Sequence, residues 1–369
     1  MSKILLHVIA ILLLFCFAQT GVADWPLYRG DANATGRTSD TVNIGTNLKI
    51  VWEKRLDKGY YETTPIVVGN SVFIGSYDEG IQAFDLETGQ SKWKQAIPKD
   101  ITAPAAYFEG LLFVGDTKGN LYALDADSGT IKWSFHTKGT IDNSPNIDVQ
   151  TQRVLIGSQA GTLYALEADS GKLVWEYKTD DQIRCFPSIL AGHCFVAGCD
   201  SYLHVVELDT GKGVRKIALD SPTGATPLIS GDYAFVGTEG NEFLGIDWKQ
   251  GKVLWRYPMR QAVRASAAYK DGTLVFGGMD RTVYALDAKT GTERWKYRTQ
   301  GRIEGGAVIA GDRVYVPSMD SSLHVLDFQT GRLIQSIELT GKLSTSPAVV
   351  SNRIILATDE GVLTCLQGQ

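Results

Sequence analysis

The chain has 369 residues, 44% of them hydrophobic and 21% charged, a composition that excludes a disordered or low-complexity protein. Its formal net charge of -5 gives no reason to expect nucleic acid or an anionic membrane surface as a partner. Length alone would suggest about two or three domains, but internal repetition overrides that expectation, because one closed repeat array can be this long.

Residues 1–23 stand apart. Lys3 is their only charge, and an apolar run from Ile4 to Phe17 is broken only by His7. The run is short for a membrane span, and small residues then lead to Gly21-Val22-Ala23. This predicts a cleaved signal peptide and an exported protein. A retained membrane anchor is the alternative. Lipidation at Cys16 is disfavoured by the bulky Phe15 before it. Residues 24–47 read as an irregular leader, and residues 48–369 as one repeat domain. Beyond residue 23 there are four cysteines, Cys185, Cys194, Cys199 and Cys365. Export permits disulfides, but these four do not make a disulfide framework.

The repeat is clearest at Leu121-Tyr122-Ala123-Leu124-Asp125-Ala126-Asp127-Ser128-Gly129-Thr130-Ile131-Lys132-Trp133, a strand, a tight turn and a second strand. Its turn glycine recurs at Gly89, Gly129, Gly171, Gly211, Gly251, Gly291 and Gly331, every 40 residues except for one interval of 42. The tryptophan recurs at Trp93, Trp133, Trp175, Trp255 and Trp295, with Arg215 and Gln335 in its place in two units, and Trp52 lies about one period ahead of Trp93. An eighth copy, Gly361 to Gln367, stops before its turn. The chain therefore begins with a last strand and ends without one. The strand near Leu48–Leu56 is expected to complete the unit built from Pro347–Leu366.

Each unit opens at a proline, at 65, 104, 145, 187, 227 and 347, with Ala267 and Ala307 in the other two. Two further short strands follow, giving four per unit. Radially repeated four-stranded sheets are a β-propeller, here an all-β, eight-bladed one closed by the N-terminal strand. Both faces of Leu121–Asp125 are apolar, as expected where blades cover each other. The third position of this strand is small, which lets sheets approach. The tryptophans are expected to bracket neighbouring blades. Asp and Ser/Thr before the glycine bind the turn backbone, and glycine supplies positive φ. None of these repeated residues is expected to be catalytic.

The unit L-Y-A-L-D-x-x-[ST]-G-x-x-x-W resembles the pyrroloquinoline-quinone (PQQ) repeat of Trp-docked eight-bladed propellers. It differs from WD40 repeats, which carry Trp-Asp where this chain has Leu-Asp. The resemblance covers roughly residues 48–367, and Asp24-Trp25-Pro26-Leu27-Tyr28-Arg29-Gly30-Asp31 is similar to the W-P-x-x-R-G opening of exported PQQ-like propellers. It implies one of two functions. Quinoprotein dehydrogenases hold PQQ and calcium at one channel mouth. The outer-membrane assembly protein BamB and its relatives are non-catalytic scaffolds. The chain departs from the first group in lacking long insertions, a vicinal Cys-Cys pair and a c-type haem motif. Its uniform blades and short loops are closer in style to BamB. A monomeric, cofactor-free scaffold for envelope proteins is the expectation, in the periplasm or cell envelope, with secretion as the alternative. A PQQ-binding quinoprotein or small-ligand binder is the runner-up.

Function is expected where the blades differ. Three residues before the proline position the chain reads Glu62, Ile101, Asp142, Arg184, Gly224, Arg264, Glu304 and Ser344. This predicts a charged ring at one mouth. Arg184 and Arg264 would serve an anion or quinone, and Glu62, Asp142 or Glu304 a cation. The alternative is a self-compensating ring of salt bridges. Cys185 and Cys199 fall nearly opposite each other across the Ala191-Gly192 hairpin. That admits a disulfide, with two buried thiols as the alternative. His193, Cys194, Cys199 and His204 do not read as a metal site, because adjacent residues point to opposite faces and His204 fills a repeat position taken by Tyr122, Tyr164 and Tyr284. Asn33-Ala34-Thr35 is a weak glycosylation match. Arg215 and Gln335 read as drift, or else as a looser blade edge that meets a partner. There is no G-x-S-x-G, H-E-x-x-H, C-x-x-C or P-loop motif.

Overall fold

The computed structural model describes residues 24–38 and 47–368. The expected signal peptide lies outside them. The chain folds as eight four-stranded antiparallel sheets, with no helix among the described residues. In blade 1 the strands are Ile66–Val68, Ser71–Ser76, Gly80–Asp85 and Ser91–Gln95, ordered from channel to rim. Blades 2 to 7 repeat this order. Blade 8 is completed by Leu48–Arg55, which pairs antiparallel with Val362–Gly368, so that Trp52 faces Cys365. The ring closes as the repeat count requires.

Burial follows position in the blade. Third strands such as Asn120–Asp125 are buried on both faces, whereas outermost strands such as Ile131–His136 alternate and face water. The cores lie between blades: one cluster joins Phe113 and Leu121 of blade 2 to Val154, Ile156 and Tyr164 of blade 3.

Tryptophan joins neighbouring blades by a repeated contact. The indole N–H of Trp93 donates to Ala126 O at 2.9 Å, and that of Trp133 to Ala168 O at 3.1 Å. Trp52, Trp175, Trp255 and Trp295 bind Leu86, Leu208, Ala288 and Phe328 carbonyls of the next blade in the same way. The ring also covers the next turn glycine. A Cβ on Gly129 would lie 2.6 Å from Trp93 Cε3, at a φ of +72°. This glycine is thus required twice, by its left-handed backbone and by the ring beside it.

The two exceptions have local substitutes. Where Arg215 replaces tryptophan, Trp248 of blade 5 packs back on Phe195 of blade 4 with ring centroids 5.0 Å apart. Where Gln335 does so, the receiving blade has no such turn among the described residues. The Gln335 amide instead pairs with both backbone groups of Leu48, at 3.0 and 3.2 Å, at the start of the closing strand.

The leader is a channel plug. Each innermost strand leaves one edge facing the channel, with backbone groups that need partners. Trp25 exchanges two hydrogen bonds with Val67 of blade 1. The carbonyls of Pro26, Ala32, Asn33, Thr35 and Gly36 then accept the N–H groups of Tyr107, Ile189, Ile229, Tyr269 and Ile309, the central residues of the innermost strands of blades 2, 4, 5, 6 and 7. Blade 3 is reached by Asn146 Nδ2, which donates to Ala32 O at 2.9 Å. The Asn33-Ala34-Thr35 tripeptide therefore lies inside the channel, with Thr35 buried.

Candidate functional site at the channel mouth

The loops that lead into the innermost strands converge at one end of the channel, above the mid-strand positions that the plug bonds. There they line a cavity of about 190 Å³ that includes Glu62, Asp142, Arg184, Gly224, Arg264, Glu304 and Ser344. The structure thus brings together seven of the eight predicted ring positions. The eighth is displaced by one residue. Ile101 is fully buried, its side chain filling the space over Gly75, and Thr102 takes the mouth position. Blade 2 has one residue fewer between this isoleucine and its proline, so counting back from Pro104 overshoots.

The ring's charges are largely committed within the chain. Arg264 makes a two-pronged contact with Glu239, at 2.8 and 3.2 Å. Arg184 Nε donates to Gln182 Oε1 at 2.9 Å and lies 3.9 Å from Asp142 Oδ2. Asp142 Oδ2 also accepts from Gln159 Nε2 at 2.5 Å, and Glu304 pairs with Arg302 at 2.6 Å. Burial pushes the Asp142 carboxyl up, against the opposing pull of Gln159 and Arg184. Glu62 has no polar partner among the described residues, and partial desolvation in the mouth pushes its carboxyl up.

Beneath the charged ring lies a belt of hydroxyls that sequence reasoning did not single out. Thr226 Oγ1 accepts from Phe186 N at 3.2 Å, Ser266 Oγ from Thr226 N at 3.4 Å, Ser346 Oγ from Gly306 N at 2.9 Å and Thr64 Oγ1 from Ser346 N at 3.2 Å. Each hydroxyl belongs to the blade after its donor, so the belt ties blades together. The recurrent Ser/Thr just before the proline position is its signal.

The floor is Tyr28 of the leader, edge-on to Phe186 at 5.8 Å. Beside it Arg29 is fully buried, with Nη2 donating to Ala267 O at 3.0 Å and Ala307 O at 2.5 Å and Nη1 to Ser346 Oγ at 3.3 Å. Cβ atoms at Gly36 or Gly306 would fall within 2.3 Å of this guanidinium. Its readable trace was the loss of proline at 267 and 307 together with the Gly305-Gly306 doublet.

The disulfide admitted between Cys185 and Cys199 is not formed; all four described cysteines are free. Cys185 Sγ accepts the Ala197 N–H at 3.2 Å, whereas Cys199 lies beyond the strand end and pairs through its backbone N–H with Gln182 O. Ile183 bridges Gly198, so the hairpin register drifts away from facing the two cysteines. His204 is held by Asp200 at 2.8 Å and Tyr177 OH at 2.9 Å, and His193 packs on Trp248. Burial lowers the His204 pKa, with Asp200 opposing.

These features define an eight-bladed propeller of Trp-docked PQQ-type blades with a plugged channel and a small polar mouth. The chain belongs to the family described as outer membrane protein assembly factor BamB, whose model matches residues 45–100, 93–180, 144–278, 200–306 and 279–369. Among curated proteins it is similar to the assembly factor BamB of Burkholderia pseudomallei, 29% identical over 27% of this chain. It is also similar to the dehydrogenase subunit of a quinone alcohol dehydrogenase of Gluconobacter oxydans, 30% identical over 29% of this chain. The matched segment spans 26% and 17% of the lengths of these two relatives. Among solved structures, BamB of Moraxella catarrhalis superposes with a TM-score of 0.75 at 22% identity, covering 88% of this chain and 98% of that one. Quinohemoprotein alcohol dehydrogenase of Comamonas testosteroni does so with a TM-score of 0.81 at 14% identity, covering 94% and 81%. These two likenesses establish the fold.

Proposed function

We propose that the protein is an exported, non-catalytic scaffold that docks envelope proteins through its loops. One observation carries this reading: most of the charged and hydroxyl groups of the mouth already have partners within the chain. Its arginines and hydroxyls are bound by their own chain, the leader fills the channel beneath, and about 190 Å³ remains, below the roughly 300–1,000 Å³ of ordinary ligand pockets. Envelope location rests on the signal-like residues 1–23 and on the family.

A second reading, a small-ligand propeller, is favoured by three buried mouth oxygens without a hydrogen-bond partner among the described residues: Thr102 Oγ1, Asp142 Oδ1 and Asn143 Oδ1. Hard oxygen donors of this kind suit a cation or a small polar ligand. Two observations count against PQQ as that ligand: the cavity is small, and Arg184 and Arg264 have partners within the chain.

The test is a PQQ titration of the mature protein with and without calcium, read by tryptophan fluorescence and quinone absorbance. No binding is expected up to about millimolar quinone, which corresponds to less than roughly 4 kcal/mol. Micromolar binding lost in Arg184→Ala or Arg264→Ala would replace the scaffold reading with a quinoprotein. Cross-linking in the envelope then separates loop-face contacts from rim contacts. Adducts confined to one loop face are expected, and their absence from both faces would count against docking.

A further inference from the structure

Outside the mouth, the described residues include a concentrated positive feature. A depression of about 750 Å³ on the loop face of blades 6 to 8 is lined by Arg260, Arg281, Arg298, Arg302 and Lys342. This is five cations in a chain whose net charge is -5. Arg302 is paired with Glu304. Among the described residues the other four make no salt bridge. The one carboxylate in the lining, Asp280, is occupied by Tyr284 OH at 2.6 Å and Thr282 N at 3.2 Å. Asp320, at the border, is held by His324 and by the Gln300 N–H at 3.0 Å.

Arg281 holds its charge at a backbone position that most residues disfavour. It sits in the turn between the second and third strands at a φ of 67°. The equivalent residue of six other blades is Gly119, Gly161, Ser201, Asn241, Ser321 or Gly361, each also at positive φ. A long cation occupies a backbone position that disfavours it. The turn needs this conformation in every one of these blades, but it does not need an arginine side chain, which adds a cation to the depression.

We propose that this depression docks an acidic, partly apolar peptide segment of a partner protein. The inference rests on the scaffold reading and deepens it by naming the surface and the partner's chemistry. Arginine forks match carboxylates in two-point contacts. The cations are spread over three blades, which suits an extended polyanion better than one small anion. Met279 and Met319 supply adaptable apolar contact for side chains between the acids. The lining has no aromatic ring on which a nucleobase could stack. A concave site on an acidic chain is also a poor match for a flat anionic bilayer.

The test is fluorescence anisotropy of the full mature protein with a fluorescein-labelled peptide of alternating Glu and Leu. Binding that weakens with salt is expected, and that weakens by about tenfold or more in the Arg281→Glu/Arg298→Glu double variant. Lys212→Glu/Lys252→Glu, on exposed residues away from the depression, makes the same change in net charge and is expected to bind as the parent does. Arg281→Gly, which restores the residue of other blades and relieves the backbone, is expected to fold at least as well and still bind more weakly. Equal losses in the two charge-reversed proteins would overturn the proposal. So would equal binding of a Gln/Leu peptide, or equally effective competition by inorganic pyrophosphate or by phosphatidylglycerol vesicles. Failure of the peptide assay would remove this surface alone, whereas quinone binding in the titration above would remove the scaffold reading itself.

Discussion

At the scale of single residues, the tryptophan and the turn glycine are one device divided between two blades. Trp133 is partly buried over Gly171, where a Cβ would stand 2.5 Å from its Cε3 at a φ of +69°. Trp133→Ala is expected to cost roughly 3–5 kcal/mol, and Gly171→Ala about 2 kcal/mol or more from strain and clash. Removing the ring removes the clash, so the double variant should cost less than the sum by at least about 1 kcal/mol. Urea denaturation of the four proteins measures this coupling, and additive costs would refute it. The aspartate that opens five of the seven turns carries a pH signature, Glu167 and Glu207 standing in the other two. Asp287 has its pKa lowered to about 2, first by Arg294 and then by the Thr290 and Lys289 donors, against desolvation. A carboxyl with a depressed folded pKa stabilises the protein above its unfolded value of 3.8, and that contribution is lost as pH falls through about 2. Asp287→Ala should therefore lower stability by roughly 1–2 kcal/mol near neutrality. The gap from the parent should shrink between about pH 4 and pH 2. A gap that stays constant over that range would show that the charge is not the cause.

Among the elements, strands and plug were unequally legible. The blade strands could be read because each recurs at a fixed period, and their hydrogen-bond partners lie within about one hairpin in sequence. The ring positions followed from that period, and Ile101 slipped to Thr102 because the marker used, Pro104, is itself displaced in blade 2. The leader could not be read this way. It occurs once, and its partners are the innermost strands of seven blades, from Val67 to Ile309. Periodicity reports what a residue shares with its repeats and is silent on a unique segment that touches all of them. The plug converts open strand edges into paired ones and leaves a buried guanidinium at its centre. Arg29→Ala would orphan the Ala267 and Ala307 carbonyls, each about 1–3 kcal/mol when buried and unpaired. Arg29→Met fills much of the volume but not the hydrogen bonds. Both variants should lower stability by about 3 kcal/mol and raise amide exchange at Tyr269 and Ile309, which donate to the leader. Exchange unchanged at those two amides would mean that the plug holds without Arg29.

Across the whole molecule, the ring is closed by hydrogen bonds rather than by covalent continuity, and this sets where it opens. Leu48–Arg55 meets Val362–Gly368 across nearly the full chain length, whereas other neighbouring strands lie a hairpin apart. Closing so long a loop costs about 2 kcal/mol more than closing one the length of a single repeat. At the blade 7 edge of the seam, Gln335 stands at the tryptophan position and gives two hydrogen bonds to Leu48. Trp52 then carries the other side of the seam, donating to Leu86 O at 2.9 Å and covering Gly89. Blade 8 thus meets blade 1 partly through a strand that is joined to it by hydrogen bonds alone, beside the Ser346–Thr64 contact and the Arg353–Glu87 pair. The seam should open sub-globally before the rest of the ring. In native-state hydrogen exchange, amides of Leu363 to Leu366 are expected to exchange at a lower free energy than those of Leu163 to Leu166 in blade 3. Trp52→Ala should accelerate the first set selectively, and Trp133→Ala should not. If all these amides exchanged together, with one denaturant dependence, the propeller would open as a single unit and the seam would be no weaker than any other blade interface.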